Sequence, residues 1–335
     1  SYRVVTEWAN CSRDPCRKLL DLSRCNDSLS SHSDSQRSYW SARRDYIGPN
    51  TGAFLRRSDR KMRKNLVLEK LKKRKPSLGT WIEIGHPDVT EVLGNLGLDW
   101  FVIDMEHSIH SVERAQVLMQ AMATSLTLPF VRVPWNDMVM IKRVLDIGAY
   151  GVVIPMVNTK EEAVNAVKAC RYPQKGGLRG IGPRRAINYG FDTEYFRMID
   201  DELLIAIQIE TETAINNLED ILSVDGIDVA FVGPWDLSMS LGVFQQFDHP
   251  KLKKALETVL DKTKEAGVAP GVYSSIDKMN DYIAEGFLFN SLGSDTELLI
   301  CGFLEALKKI RGWEPIPSAP AVRMLEPTQQ PPQVV

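Results

Sequence analysis

Asp104, Glu106 and His107 in "WFVIDMEHS", Arg132 in "FVRVPWND", Gln208 and Glu210 in "AIQIET", and Asp236 in "VAFVGPWDLS" are the side chains of this sequence best placed to do chemistry. Each lies within or just beyond a short apolar run rich in β-branched and aromatic residues. A charge there is costly unless it has a partner or a task. Residues two apart on a strand face the same way, so Asp104 shares a face with Glu106, and Gln208 with Glu210. If the strands carrying Glu210 and Asp236 are neighbours, about 4.8 Å apart, the two carboxylates converge on one cation. Two hard oxygen ligands, with water or substrate completing an octahedron, suit Mg²⁺ or Mn²⁺. The plainer alternative is that these strand-end carboxylates pair with Arg132 or cap the next helix.

The elements that must position these residues recur regularly. Apolar runs fall at 79–84, 100–106, 129–134, 151–156, 203–210, 229–234, 269–274 and 287–292. Between them lie amphipathic stretches such as "SVERAQVLMQAMA" and "TKEEAVNAVKACR". Alternating β and α segments predict parallel strands, and eight such units predict a (β/α)8 TIM barrel. A doubly wound open sheet is the competing fold, but no glycine-rich phosphate turn follows the first run. In a (β/α)8 barrel the active site lies at the C-terminal ends of the strands, where the residues above fall. None of the runs contains lysine, so the barrel offers no Schiff-base nucleophile. If it activates a carbonyl, a metal and an arginine must do so.

Composition limits the rest. The 335 residues carry a net charge of -2, with 44% hydrophobic and 25% charged residues, which points to neither nucleic acid nor an anionic membrane. No apolar run approaches the roughly 20 residues of a membrane span. The five cysteines form no disulfide framework, which fits a reducing, cytoplasmic compartment. Residues 1–61 include "DSLSSHSDSQRS" and read as a disordered or non-native extension, too polar to offset the entropy of ordering. Their Arg and Ser content suits a transit peptide, but their acidic residues do not. The barrel is assigned to 62–312, with a helix opening at Met62, and 313–335 to a Pro-rich flexible tail.

The quoted segments, with "VLDIGAYGVVIPMV" and "RYPQKGGLRGIGPRRA", resemble the HpcH/HpaI aldolase family. Its members are metal-dependent class II aldolases that use pyruvate, and macrophomate synthase is a relative. The resemblance runs from about residue 78 to 310, and "QIET" with "GPxDLS" is its most specific part. It implies divalent-metal-dependent retro-aldol cleavage of a 4-hydroxy-2-oxo acid to pyruvate and an aldehyde, through an enolate on the metal (Mg²⁺, with Mn²⁺ or Co²⁺ as alternatives). By position, Glu210 and Asp236 match the metal carboxylates and Gln208 a substrate- or water-contacting glutamine. Arg132 matches the arginine that steadies the enolate oxygen. His107 matches a histidine that moves protons through water, and Asp146 an aspartate that orients this histidine from a neighbouring subunit. Asp104 and Glu106 match supporting groups. Gly233, Pro234 and Trp235 match the loop at the pyruvate carboxylate, although Trp235 and the basic "GPRRA" (182–186) depart from the family pattern. The resemblance further implies a hexamer of dimers that exchange their last helix, here 295–311. Oxaloacetate decarboxylation and citrate-lyase-like cleavage of a CoA ester would use a similar enolate, and the sequence shows no CoA motif. A phosphosugar barrel has only "LGSD" (292–295) in its favour. A non-enzymatic barrel subunit would not need Arg132, His107, Glu210 and Asp236 together.

Overall fold

Eight strands pair in parallel and in chain order, and the eighth returns to the first: β1 (Ser77–Ile82), β2 (Trp100–Asp104), β3 (Leu128–Arg132), β4 (Gly151–Ile154), β5 (Leu204–Ile209), β6 (Val229–Val232), β7 (Ala269–Ser274) and β8 (Phe289–Ser294). The structure is a computed structural model that describes residues 62–192 and 194–310. The extension assigned to 1–61 and the tail assigned to 313–335 lie outside the described residues.

Side-chain parity sorts each strand into two cores. Trp100, Val102, Leu128, Phe130, Leu204, Ala206, Val229, Phe231 and Phe289 fill the barrel interior. Their neighbours Phe101, Ile103, Val131, Ile205, Ile207, Ala230 and Val232 pack outward beneath the helices. Inside, the Trp100 and Phe289 rings stack at 4.0 Å with an interplanar angle of 2°. This crowding requires glycine at position 79, where a Cβ would stand 2.1 Å from the Trp100 ring. A short helix, α1 (Leu66–Lys72), adds Val67, Leu68 and Leu71 to the interior cluster beside residues that start the strands. It begins at Leu66 rather than at Met62. The Asn65 side chain caps it by accepting the N–H groups of Val67 and Leu68, while Met62 and Arg63 donate their N–H groups to Asp192 and Tyr150.

Helices follow the strands. They are α2 (Pro87–Gly94), α3 (Val112–Ala121), α4 (Met138–Asp146), α5 (Lys160–Cys170), α6 (Tyr195–Glu202), α7 (Glu212–Asn216), α8 (Leu218–Leu222), α9 (Pro234–Ser240), α10 (Pro250–Ala266), α11 (Ile276–Glu285) and α12 (Asp295–Lys308). Their ends carry local signals. Thr159 and Glu162 form a capping box on α5, as Ser294 and Glu297 do on α12, each satisfying two otherwise unpaired N–H groups.

Strand ends depart from the apolar runs where the site begins. The second run extends to Glu106, yet β2 stops at Asp104. There the Asp104 carboxylate accepts the N–H groups of Glu106 and His107 at 3.0 and 3.4 Å. This side-chain-to-backbone bonding turns the chain out of the ladder. At β8 the run ends at Leu292 but the strand continues through Gly293 and Ser294, because parallel pairing to β1 does not depend on side-chain polarity.

Candidate active site

Parity along the strands brings the polar groups to one end. Continuing the inward series Trp100, Val102 gives Asp104; Leu128, Phe130 gives Arg132; Leu204, Ala206 gives Gln208; and Val229, Phe231 gives Gly233. They meet at a cleft of about 430 Å³ lined in part by His107, Arg132, Gln208, Gly233, Pro234, Trp235 and Asp236. Glu210 is buried just behind this lining, with its carboxylate against Gln208 and Gly233.

Arg132 is the fixed centre. It faces Asp104 directly in the β2–β3 register. Its Nε and Nη2 donate to the two Asp104 oxygens at 2.8 and 2.7 Å, and its guanidinium lies 4.3 Å from the centre of the Trp81 ring. The remaining Nη1 faces Gln208 Oε1 at 3.5 Å and Glu106 Oε2 at 3.0 Å. The Glu106 contact is a charge pairing rather than an aligned hydrogen bond, since Oε2 is left without a hydrogen-bond partner. Burial pushes the Asp104 carboxyl up, but the bond and charge of Arg132 and two backbone N–H groups outweigh it and hold it below the usual range. Pairing with Arg132, the plainer alternative, thus accounts for Asp104 and partly for Glu106.

It does not account for Glu210 or Asp236. Glu210 accepts the Met156 N–H at 2.7 Å and the Gln208 amide at 2.6 Å. Met156 makes that contact from a left-handed backbone with φ of 55°, a conformation that non-glycine residues adopt at some cost. Glu210 is pushed up to about 7, first by burial and then by the charges of Glu106 and Asp236, against the Met156 N–H. Glu106 is likewise raised to about 7 by burial, with Asp104 and Asp236 adding to it against Arg132. Carboxylates that raise one another in a partly dry site form a natural position for a cation.

The backbone leaves room for one. An added Cβ at Gly233 would lie 3.6 Å from Asp236 Oδ2, 3.6 Å from Glu210 Oε2 and 3.7 Å from Gln208 Nε2. Two carboxylate oxygens therefore converge on a space that this glycine keeps empty. Among the described residues there is no cluster of three or more His, Cys, Asp or Glu that would cage an ion by itself. A pair with open positions fits a hard divalent ion that keeps waters or binds substrate.

His107 lines the cleft with its side chain 65% exposed, its Nε2 4.0 Å from Glu106 Oε2. Asp146 is not part of this assembly. It ends α4 and pairs with buried Arg179 at 3.2 Å. The basic segment 182–186 is also absent from the lining; Arg185 donates to the carbonyls of Ile147 and Met119. The cleft contains residues that the sequence reading passed over: Trp81, Glu83, Tyr273, Ser294, Thr296, Glu297 and Ile300. Trp81, Glu83, Tyr273 and Ser294 sit at or just beyond the ends of β1, β7 and β8, so the strand-end rule applied to every strand would have found them. The Met156 contact is a backbone contribution with no side-chain signal.

The comparisons agree with this geometry. The HpcH/HpaI aldolase/citrate lyase family profile matches residues 77–301. A 4-hydroxy-2-oxo-heptane-1,7-dioate aldolase of Salmonella typhimurium (strain LT2) is 39% identical over 242 residues, covering 71% of this chain and 92% of that protein. The crystal structure of a family protein from Burkholderia cenocepacia J2315 superimposes with a TM-score of 0.72 at 30% identity, covering 74% of this chain and all of the other. Macrophomate synthase shares the fold, with a TM-score of 0.61 at 23% identity over 73% of this chain and 88% of that one. The chain belongs to the HpcH/HpaI aldolase/citrate lyase family and is a lyase built on a (β/α)8 barrel.

Proposed function

We propose that this chain cleaves a 4-hydroxy-2-oxo acid into pyruvate and an aldehyde. The observation that carries the reading is the convergence of Glu210 and Asp236 beside the one Arg132 donor, Nη1, that Asp104 does not occupy. Glu210 and Asp236 would hold the divalent ion, Mg²⁺ by preference and Mn²⁺ or Co²⁺ otherwise. When bound, the ion acts as a Lewis acid on the 2-oxo group.

The side chains carry the rest of the reaction. The C3–C4 bond breaks, its electron pair moves to C3, and C4 becomes the aldehyde carbon as its hydroxyl loses a proton. Negative charge grows on the 2-oxo oxygen, and Arg132 Nη1, preorganised by Asp104 and Trp81, stabilises it without having to reorient. Gln208 and the Gly233–Trp235 backbone position the substrate. His107, at the exposed side of the cleft, takes the hydroxyl proton directly or through a water, and returns one to C3 to complete the pyruvate methyl. Asp104 and Glu106 act by orienting and balancing Arg132.

The reading extends to assembly. Asp146 orients His107 of a neighbouring subunit in a hexamer of dimers that exchange the helix over 295–311. The compartment is the cytoplasm. Among the described residues no helix is long and apolar enough to cross a membrane. A screen of 4-hydroxy-2-oxo acids for pyruvate release, with and without EDTA, tests the function. Release restored by Mg²⁺ or Mn²⁺ supports it. Turnover unaffected by exhaustive chelation, or no release from any substrate, refutes it.

A further inference from the structure

Acceptor choice is encoded at the outer end of the cleft, and the argument rests on the aldolase reading above. The 2-oxo acid end of the substrate belongs at the inner end, with Arg132, Gln208 and Gly233. Its far end must then reach the rim, where Glu83, Tyr273, Thr296, Glu297 and Trp235 lie. Arg132 is the sole Lys or Arg among the lining residues, and it is committed to Asp104 at the inner end. The rim carries two carboxylates and no basic side chain.

These carboxylates are held in place. Asp295 accepts the N–H of Glu83 at 2.9 Å, which ties the end of β1 to the start of α12. Glu297 Oε2 accepts the Tyr273 hydroxyl at 2.8 Å and the Ser294 N–H at 3.3 Å. The Tyr273 hydroxyl is raised above its ordinary range by burial and by the charges of Glu297 and Glu83, so both acids act on the same small space. Trp235 is braced edge-on by Phe247 and Phe244, at 5.1 and 6.1 Å between ring centres, while staying 44% exposed. A rim of carboxylates, hydroxyls and one aromatic surface matches an uncharged chain of carbinol groups. Its O–H groups donate to carboxylates in charge-assisted bonds, and its C–H faces cover the indole.

We propose that the aldehyde released or taken up by this enzyme is uncharged and hydroxyl-bearing, and that Glu83 and Glu297 select it by rejecting a terminal carboxylate. The relative named for 4-hydroxy-2-oxo-heptane-1,7-dioate has a substrate with such a second carboxylate. In this chain that group would have to lose water beside two like charges, a repulsive element that gives specificity without adding affinity.

The test measures kcat/KM for pyruvate release with Mg²⁺ from three substrates: 4-hydroxy-2-oxo-heptane-1,7-dioate, a six-carbon 3-deoxy-2-oxo sugar acid, and an amino-terminated 4-hydroxy-2-oxo acid. The sugar acid should exceed the dioate by about 10-fold or more, the low end of the effect of opposing like charges. Glu83→Gln and Glu297→Gln should each narrow that gap several-fold by improving the dioate. Glu297 also caps α12, so Glu83→Gln decides the matter if the Glu297 variant fails to fold. A wild type that prefers the dioate or the amino-terminated acid, or a ratio unmoved by Glu83→Gln, overturns the proposal. Exchange of the pyruvate methyl protons with D₂O separates the two levels of the argument. Exchange together with a dioate preference refutes only the acceptor assignment; no exchange with Mg²⁺ removes the aldolase reading and this inference with it.

Discussion

Replacing Arg132 with alanine should damage stability and chemistry by separable amounts. The Asp104 residue is fully buried, and Arg132 supplies two of its contacts, at 2.8 and 2.7 Å. Without the guanidinium, Asp104 keeps only the N–H groups of Glu106 and His107. Leaving one member of a buried ion pair costs about 3–5 kcal/mol. The two remaining N–H bonds and water entering the vacated space place the expected loss near the lower end. Guanidinium unfolding of wild type and variant measures it. Adding Asp104→Asn to Arg132→Ala should recover much of the loss, since the orphaned charge disappears while the amide oxygen can still accept both N–H groups. Catalysis should not recover. Loss of a preorganised donor to developing oxyanion charge lowers kcat by roughly 10²–10³, and the double variant should stay there. Arg132→Lys should rescue poorly, because an ammonium cannot span both Asp104 oxygens and also present a directed donor to the cleft. A stability loss under about 1 kcal/mol would refute the idea that the pair is energetically coupled. A normal kcat with only a raised KM would show that Arg132 binds the ground state alone.

Three further outcomes are expected. Glu210→Gln should weaken Mg²⁺ or Mn²⁺ binding in calorimetry and abolish most EDTA-sensitive turnover; unchanged affinity would remove Glu210 from the ligand set. Asp228, which accepts the Ile205 N–H at 2.8 Å, is raised from 3.8 to about 6 by burial, against that N–H. A folded value above the unfolded one favours folding fully below pH 3.8, and this contribution is lost as pH rises through about 6. Asp228→Asn should therefore stabilise the protein at pH 8, by at most about 3 kcal/mol at 1.36 kcal/mol per unit, and give no gain at pH 4. Equal Tm shifts at both pH values would refute this. Mixing inactive His107→Ala and Asp146→Ala subunits should regain activity if Asp146 serves a neighbour's site, and demonstrated subunit mixing without any recovery would leave His107 to its own chain.

The order of elements was legible because it depends on local rules. Eight apolar runs separated by amphipathic stretches specify parallel strands, and parity along each strand then fixes which residues face inward. Asp104, Arg132, Gln208 and Gly233 could be placed at one end of the barrel on that basis, and Glu210 and Asp236 paired once β5 and β6 were adjacent. Strand ends were less legible. Asp104 ends β2 through its own side chain, and β8 runs on through Gly293 and Ser294 because backbone pairing does not depend on hydrophobicity. Other features had no local signal at all. The division of labour in which Asp104 occupies Arg132 Nε and Nη2 and leaves Nη1 to the cleft depends on the β2–β3 register. The Met156 N–H reaches Glu210 through the loop after β4, and Asp146 meets Arg179 across a separate segment. The acidic rim joins Glu83 and Glu297, which are over 200 residues apart in the sequence, through barrel closure and the Asp295 contact. Residue type and period are properties of neighbouring positions, so the sequence determines them by itself. Which donor faces which acceptor depends on distances set by closing the barrel, and only the tertiary structure decides those.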